Sequence, residues 1–385
     1  MKYLLFLSLF AFSLTSCIKD QVDTTDRAYT EEEESILAQN LNLPVEAHDY
    51  NLQLPEHLGF SRVNSSKHMA TLGRVLFYDK KLSKNESVSC ASCHEPEKAF
   101  ADGKDFSEGF DGEFTKRNSL ALGAFPSFNA YYGFGGTRMF WDERAQTVAD
   151  QSELTIADPI EMGHGDLDVL ANSLLENNRY YRILFDKAYP EGQFGADMDN
   201  KEKMLQALDA FVSSIGCFNT KFDDGWAAVG NPESNFSNFT AQENMGKQLF
   251  NDNCASCHNL GPGFSTTVTS ANNGLDANYE DKGMYEITNN PSQKGVFKVP
   301  MLRNVALTAP FMHDGRFETL EEVIEHYNTG VQEHPNLHPN LRSFNGAPVR
   351  LNLSQDEKDA LVAFMHTLTD ATSIAHEKYA DPFKQ

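Results

Sequence analysis

The sequence predicts an all-α protein made of two similar halves, and three observations carry that expectation. Apolar residues recur at helical spacing, in Met69, Leu72 and Leu76 and again in Leu205, Leu208, Phe211, Val212 and Ile215. Sustained alternation of the kind that builds half-buried strands is missing. A Gly-x-x-Leu-Phe segment occurs twice, at Gly73 to Phe77 and at Gly246 to Phe250, and each copy runs into the same five letters, Cys-Ala-Ser-Cys-His, at Cys90 to His94 and at Cys254 to His258. One helical unit is used twice.

From the start of the chain, Lys2 and the apolar run Tyr3 to Leu14 lead into Leu14-Thr15-Ser16-Cys17. The run is too short to span a bilayer and reads as a signal peptide over residues 1–16. Leu-Thr-Ser-Cys also resembles the lipobox of bacterial lipoproteins, which implies lipid on Cys17 and a stable membrane anchor. Ile18 after the cysteine resembles lipoproteins sent on to the outer membrane, facing the periplasm or the outside. Residues 17–44 form an acidic tether, with Asp20, Asp23, Asp26 and Glu31 to Glu34. Its composition predicts a solvated spacer, with a short helix near Ser35 to Leu41.

Residues 45–232 then make a first helical domain and 233–385 a second, with Asn231-Pro232-Glu233-Ser234-Asn235 as the linker between them. Ser/Thr-x-x-Glu boxes at Thr240 to Glu243, Thr319 to Glu322 and Ser354 to Glu357 each open an apolar-periodic run and predict helix starts. The polar stretch from Asn259 to Lys298 is long for a loop in a compact domain, and after a Cys-x-x-Cys-His segment its expected use is to wrap a prosthetic group.

In such a segment two thiols add to the two vinyl groups of one haem, and the adjacent imidazole turns back to ligate its iron. Two copies predict two covalent c-type haems, held by Cys90, Cys93 and His94 and by Cys254, Cys257 and His258. Four of the six cysteines are used this way; Cys17 belongs to the leader, and Cys217 reads as a buried small apolar residue. With 55 acidic against 32 basic residues the net charge is -23. That balance repels nucleic acid and steers a cationic partner, such as a basic donor protein, toward the surface.

Beyond these features, six stretches resemble the bacterial di-haem cytochrome c peroxidases and their MauG relatives, from Leu72 to Leu368. They are Leu72-Gly73-Arg74 with Leu76 to Asp79 and Leu82-Ser83; Cys90 to His94 with Ala99 to Gly103; Phe140 to Ala145; Asp158 to Gly163; Val299 to Val305; and Ala309 to Gly315. The resemblance implies two c-type cytochrome domains in tandem with long haem-wrapping loops. It implies an oxidoreductase that reduces hydrogen peroxide to water with electrons from a small redox protein, a cytochrome c or a cupredoxin. The first haem, on His94, would be the reactive one, with Glu161 as acid/base and Gln151 orienting peroxide. The second, on His258, would relay electrons, with Trp141 between the two. Asn118, Thr308 and Pro310 match the family's calcium site, while His313 and Arg303 would lie near the second haem, its propionates or the calcium. Family members are often dimers.

Two departures modify this picture. Phe110 stands where some peroxidases carry a histidine that caps the first iron, which implies an open site; His164 is a substitute ligand of lower standing. At the far side of the second iron the matching residue is Tyr327 rather than methionine. Tyr327 also lies on one helical face with Leu320, Val323 and Ile324, so plain core is open as an alternative, and Met301, Met312 and His326 are lesser ligand candidates. Phe110 and Tyr327 both resemble the MauG relatives, which use peroxide to oxidise residues of another protein. A di-haem electron carrier without catalysis is the third reading. An insert at Gly133-Phe134-Gly135-Gly136 bears on the calcium geometry.

Overall fold

Thr30 opens the first helix in the computed structural model, which describes residues 28–58, 62, 63, 65–123, 138–258 and 269–384. The leader with Cys17, and the insert at 133–136, lie outside the described residues. Helix α1 (Glu31–Leu37) is capped by a reciprocal box in which Thr30 and Glu33 bond each other's backbone. Ala28, Tyr29, Leu37 and Leu41 are buried in the first core. This differs from the expected solvated spacer. The acidic run occupies the exposed turn at the helix N-terminus, where its charge is favourable, while the apolar residues at either end dock.

The first core is built by α2 (Lys67–Tyr78), α3 (Val148–Ala157), α4 (Leu167–Asn177), α5 (Arg179–Ala188) and α6 (Asn200–Val212). The second gathers α7 (Lys221–Val229), α8 (Ala241–Asn253), α9 (Leu320–Glu325) and α10 (Gln355–His366). All three predicted capping boxes are formed, at the starts of α8, α9 and α10. Strand content among the described residues is confined to two short antiparallel pairs. β1 (Leu52–Gln53) pairs with β2 (Arg62–Val63), with Leu52 opposite Val63, and β3 (Ser270–Ala271) pairs with β4 (Phe297–Lys298), with Ser270 opposite Lys298.

The repeated Gly-x-x-Leu-Phe segment has a packing reason. A Cβ on Gly73 would stand 1.9 Å from the Ala207 carbonyl oxygen, so α2 and α6 cross at backbone contact. Gly246 does the same against Ala360, at 1.8 Å, where α8 crosses α10. Each crossing seats a phenylalanine, Phe77 or Phe250, in its core just before a cysteine pair.

Packing does not follow chain order strictly. Phe222 and Trp226, ahead of the expected linker, belong to the second core. Tyr379, near the end of the chain, belongs to the first, and its hydroxyl donates to Ser214 O at 2.6 Å. Leu41 and Phe383 pair as an isolated bridge, and Asn42 N donates to Pro382 O at 2.7 Å.

Candidate active site

A single cavity of about 850 Å³ connects the two Cys-x-x-Cys-His segments and is lined by all six of their cysteines and histidines. After α2 the chain makes a short turn at Cys90–Ser92, with Ser89 and Ser92 closing a side-chain box around it. In the second copy Cys254 itself caps α8. His94 Nδ1 lies 2.8 Å from Phe100 O, and His258 Nδ1 lies 3.0 Å from Pro300 O. A ring nitrogen that donates to a carbonyl leaves Nε2 with its lone pair, the tautomer that a haem iron needs. Burial favours the neutral form of both, taking His258 down to about 4. The apolar cavity, the thiols and these two imidazoles fit a pair of covalent haems.

Helix α3 and the turn after it build one wall. Gln151 and Thr155, one helical turn apart on α3, both face the cavity. Gln151 Nε2 donates to Thr155 Oγ1 at 3.0 Å. The turn is fixed by Asp158, whose Oδ1 accepts from Ile160 N at 2.8 Å and Glu161 N at 3.0 Å. Opposite, Gly109 allows its loop to touch: a Cβ there would meet Ile160 O at 1.8 Å. Glu161 therefore enters the cavity from a backbone held on both sides. Burial, helped by the Asp158 charge, raises its carboxyl to about 7, against the opposing pull of the Thr155 hydroxyl and the Arg144 guanidinium. Its charge also reaches Cys90 and Cys93.

Phe110 lies against Gly163, with its backbone N donating to Glu161 O at 3.1 Å. It does not line the cavity, and neither does His164.

Trp141 is buried where the walls meet. Its indole Nε1 donates to Asn118 O at 2.9 Å, and its own carbonyl accepts from Lys298 N at 2.8 Å. The His313 ring stands edge-on to it at 6.4 Å and stacks on Phe297 at 3.7 Å. A charged strut runs beside this stack. Arg117 bonds Asp142 at 2.6 Å and Asp281 at 2.7 Å, tying the segment of Trp141 to the loop that leads into β4.

On the wall of the second motif, α9 ends in a π-helical turn over His326–Gly330. Such turns are rare and occur frequently at functional sites, and here Tyr327 lines the cavity. Burial pushes its phenol up to about 12, while a hydrogen bond with the Asn273 side chain pulls the other way. Met301 and Met312 share the cavity, and Asn273 Nδ2 approaches Met312 Sδ at 3.5 Å. His326 instead places Nε2 3.2 Å from Asn273 O and is not a lining residue.

Asn118, Thr308 and Pro310 all line the same cavity. Asn118 Nδ2 donates to Lys104 O at 2.8 Å, leaving the side-chain oxygen as the acceptor a hard cation would use. Arg303 lines the cavity too, and its guanidinium bonds Asp223, at 2.7 Å through both nitrogens, and Cys217 O at 3.0 Å, so it ties α7 to the Val299–Val305 segment. Cys217 is buried, and burial pushes its thiol up to about 12.

Two residues that the sequence does not single out join the site, Thr155 and Asn273. The first is the i+4 neighbour of Gln151 on α3, a spacing that does not say where its hydroxyl turns; the second sits in the long polar stretch, where no periodicity points to it.

The chain matches the model of the di-haem cytochrome c peroxidase family over residues 67–228 and 240–379. It is 32% identical over 359 residues to the methylamine utilization protein MauG of Paracoccus denitrificans, covering 78% of this chain and 88% of that one. The cytochrome c551 peroxidase of Nitrosomonas europaea is 31% identical over 306 residues, covering 78% and 80%. Among solved structures, a MauG-like protein associated with microbial copper homeostasis superposes with a TM-score of 0.66 at 32% identity, covering 83% of this chain and 94% of that one.

Proposed function

The chain belongs to the di-haem cytochrome c peroxidase family, whose members are oxidoreductases that use peroxide and carry two c-type haems, and on that premise we propose that it reduces hydrogen peroxide to water with electrons from a small redox protein. The observation that carries this reading is the pairing of Glu161 and Gln151 in the cavity of the first Cys-x-x-Cys-His segment. When bound, a c-type haem supplies an open iron position for peroxide and the electrons that cleave the O–O bond. The protein supplies the proton path. Glu161 takes the proton from the inner oxygen and delivers it to the leaving one, a transfer for which a carboxyl near neutrality is suited. Gln151 orients the peroxide by its amide. Two electrons and two protons enter per peroxide, and two waters leave.

Trp141, buried on the wall of the cavity that both motifs share, has an oxidisable π system and is the proposed bridge for those electrons. Tyr327 would hold the second iron together with His258, its π-helical turn bringing it to the cavity wall. Asn118, Thr308 and Pro310 are the proposed calcium ligands, a side-chain amide oxygen with main-chain carbonyls. On this reading the peroxidatic half is 45–232 and the electron-transfer half 233–385. The motif at Leu14 to Cys17 supports export and a lipid anchor in the cell envelope; no helix among the described residues is long and apolar enough to cross a membrane.

Phe110, turned away from the cavity, and Tyr327, turned into it, favour a second reading: a MauG-like use of peroxide to oxidise residues of a protein substrate. Steady-state peroxide consumption with reduced cytochrome c separates the two. Sustained turnover is expected. Absence of turnover with several reduced donors, in a holoprotein that still reacts once with peroxide, would leave the protein-oxidising reading.

A further inference from the structure

Resting on the acid/base reading of Glu161, we propose that Thr155 is a positioning residue, whose hydroxyl locks the Glu161 carboxylate and the Gln151 amide into one directed hydrogen-bonded arrangement. A threonine hydroxyl has a single hydrogen and two lone pairs. One lone pair is engaged by Gln151 Nε2–H at 3.0 Å. The hydrogen is left for the Glu161 carboxylate, which lines the same cavity and is favoured in its ionised form by the Thr155 hydroxyl. The chain of bonds thus runs one way, from amide to hydroxyl to carboxylate, and each member fixes the next.

The placement of the hydroxyl is not the usual one for a helix. Threonines in helices tend to bond the carbonyl four residues back, as Thr71 on α2 does with Lys67 O at 2.7 Å. Thr155 instead accepts from one side chain that faces the cavity and, on this proposal, donates to a second. The backbones on either side are already fixed, Gln151 by α3 and Glu161 by the Asp158 turn and the contact at Gly109. What the backbone leaves loose is the rotation of two long side chains, and the hydroxyl is the group that joins them. Gln151 keeps a second N–H and its carbonyl oxygen for peroxide, and Glu161 keeps its remaining lone pairs for the proton.

Other charged groups also face Glu161. Asp158 on the same turn opposes ionisation, and Arg144 from the Trp141 segment favours it. The sulfurs of Cys90 and Cys93 lie within range as well, and as thioethers they carry no charge. Thr155 acts with Arg144 to keep a buried carboxyl ionisable near neutrality.

The test is the first reaction of ferric holoprotein with peroxide, followed by stopped-flow absorbance across pH, which requires no electron donor. Wild type is expected to show a rate that rises through about pH 7, and Glu161→Gln to lose that rise. Thr155→Val is expected to move the rise upward by about one pH unit and to slow the reaction at neutrality by roughly threefold to tenfold. Thr155→Ser, which keeps the hydroxyl, is expected to restore both. If Thr155→Val keeps the wild-type midpoint while Glu161→Gln abolishes the rise, the positioning role is overturned and the reading of Glu161 stands. If Glu161→Gln keeps the rise, Glu161 is not the titrating group and both fall. An equal loss in Thr155→Ser and Thr155→Val also overturns the proposal, because the hydroxyl would then not be what matters.

Discussion

At the scale of single residues, the site separates side chains by what holds them rather than by where they stand in the chain. Glu161 faces the cavity from a turn held by Asp158, Gly109 and Phe110, and burial brings its carboxyl to about 7. A proton acceptor must be ionised, so the carboxyl is mostly inactive below that pH and mostly active above it. Glu161→Gln is expected to slow sustained peroxide turnover by about 10²-fold or more and to flatten its pH profile; turnover like that of wild type would remove Glu161 from the mechanism. The candidate site residues were legible in the sequence where their spacing is itself chemical, as in the two Cys-x-x-Cys-His segments, or where a motif surrounds them, as at Glu161 and Trp141, both of which line the cavity. Thr155 was not, because a threonine inside a helix pattern looks the same whether its hydroxyl turns back to the helix or across to a partner. Arg303 reads from sequence as a group near the second haem, and packing adds what no spacing shows, its pairing with Asp223.

Among the helices, the same reasoning explains the repeat. Gly73 and Gly246 are at the two crossings where α2 meets α6 and α8 meets α10, and in both the added Cβ would strike a backbone oxygen. Backbone cannot rotate away as a side chain can. Gly73→Ala and Gly246→Ala are each expected to cost about 1–3 kcal/mol or more, seen as a lower thermal midpoint of the holoprotein. Gly165→Ala, where nothing lies within 4 Å of the added atom, serves as the neutral comparison. If all three variants melt alike, the close crossings do not limit stability. Helix starts were legible because a capping box is local and written in four letters. The docking of α1 was not: its acidic run dominates the composition, while the contacts that seat it come from Tyr29, Leu37 and Leu41, too few to form a periodic pattern.

Across the whole molecule, segments far apart in the chain are joined by buried charge. Asp223 on α7 holds Arg303 in a pair that is almost wholly out of water, with His57 Nε2 3.2 Å from the same carboxylate. Burial alone would raise the Asp223 carboxyl; hydrogen bonds from Arg303, His57 and Thr220 outweigh it and bring it down to about 2. The unfolded chain would take up this proton near the ordinary aspartate value of about 4. The pair's contribution to stability is therefore full above that pH and lost as pH falls through about 2. Asp223→Asn is expected to cost about 3–5 kcal/mol at neutral pH by leaving Arg303 without its counter-charge. Denaturation measured from pH 7 downward should show the gap from wild type closing with acidification; a gap that does not change with pH would mean that the charge is not what the pair contributes. The return of the chain end to the first core has a consequence for how the molecule is made. Tyr379 fills a place between Phe100 and Phe211, and Pro382 and Lys384 bond the backbone beside α1. A polypeptide emerging in chain order thus has the interior of the earlier half incomplete until the stretch around Tyr379 has arrived. The earlier half waits for the later one, and residues made long after it close the part that was built before.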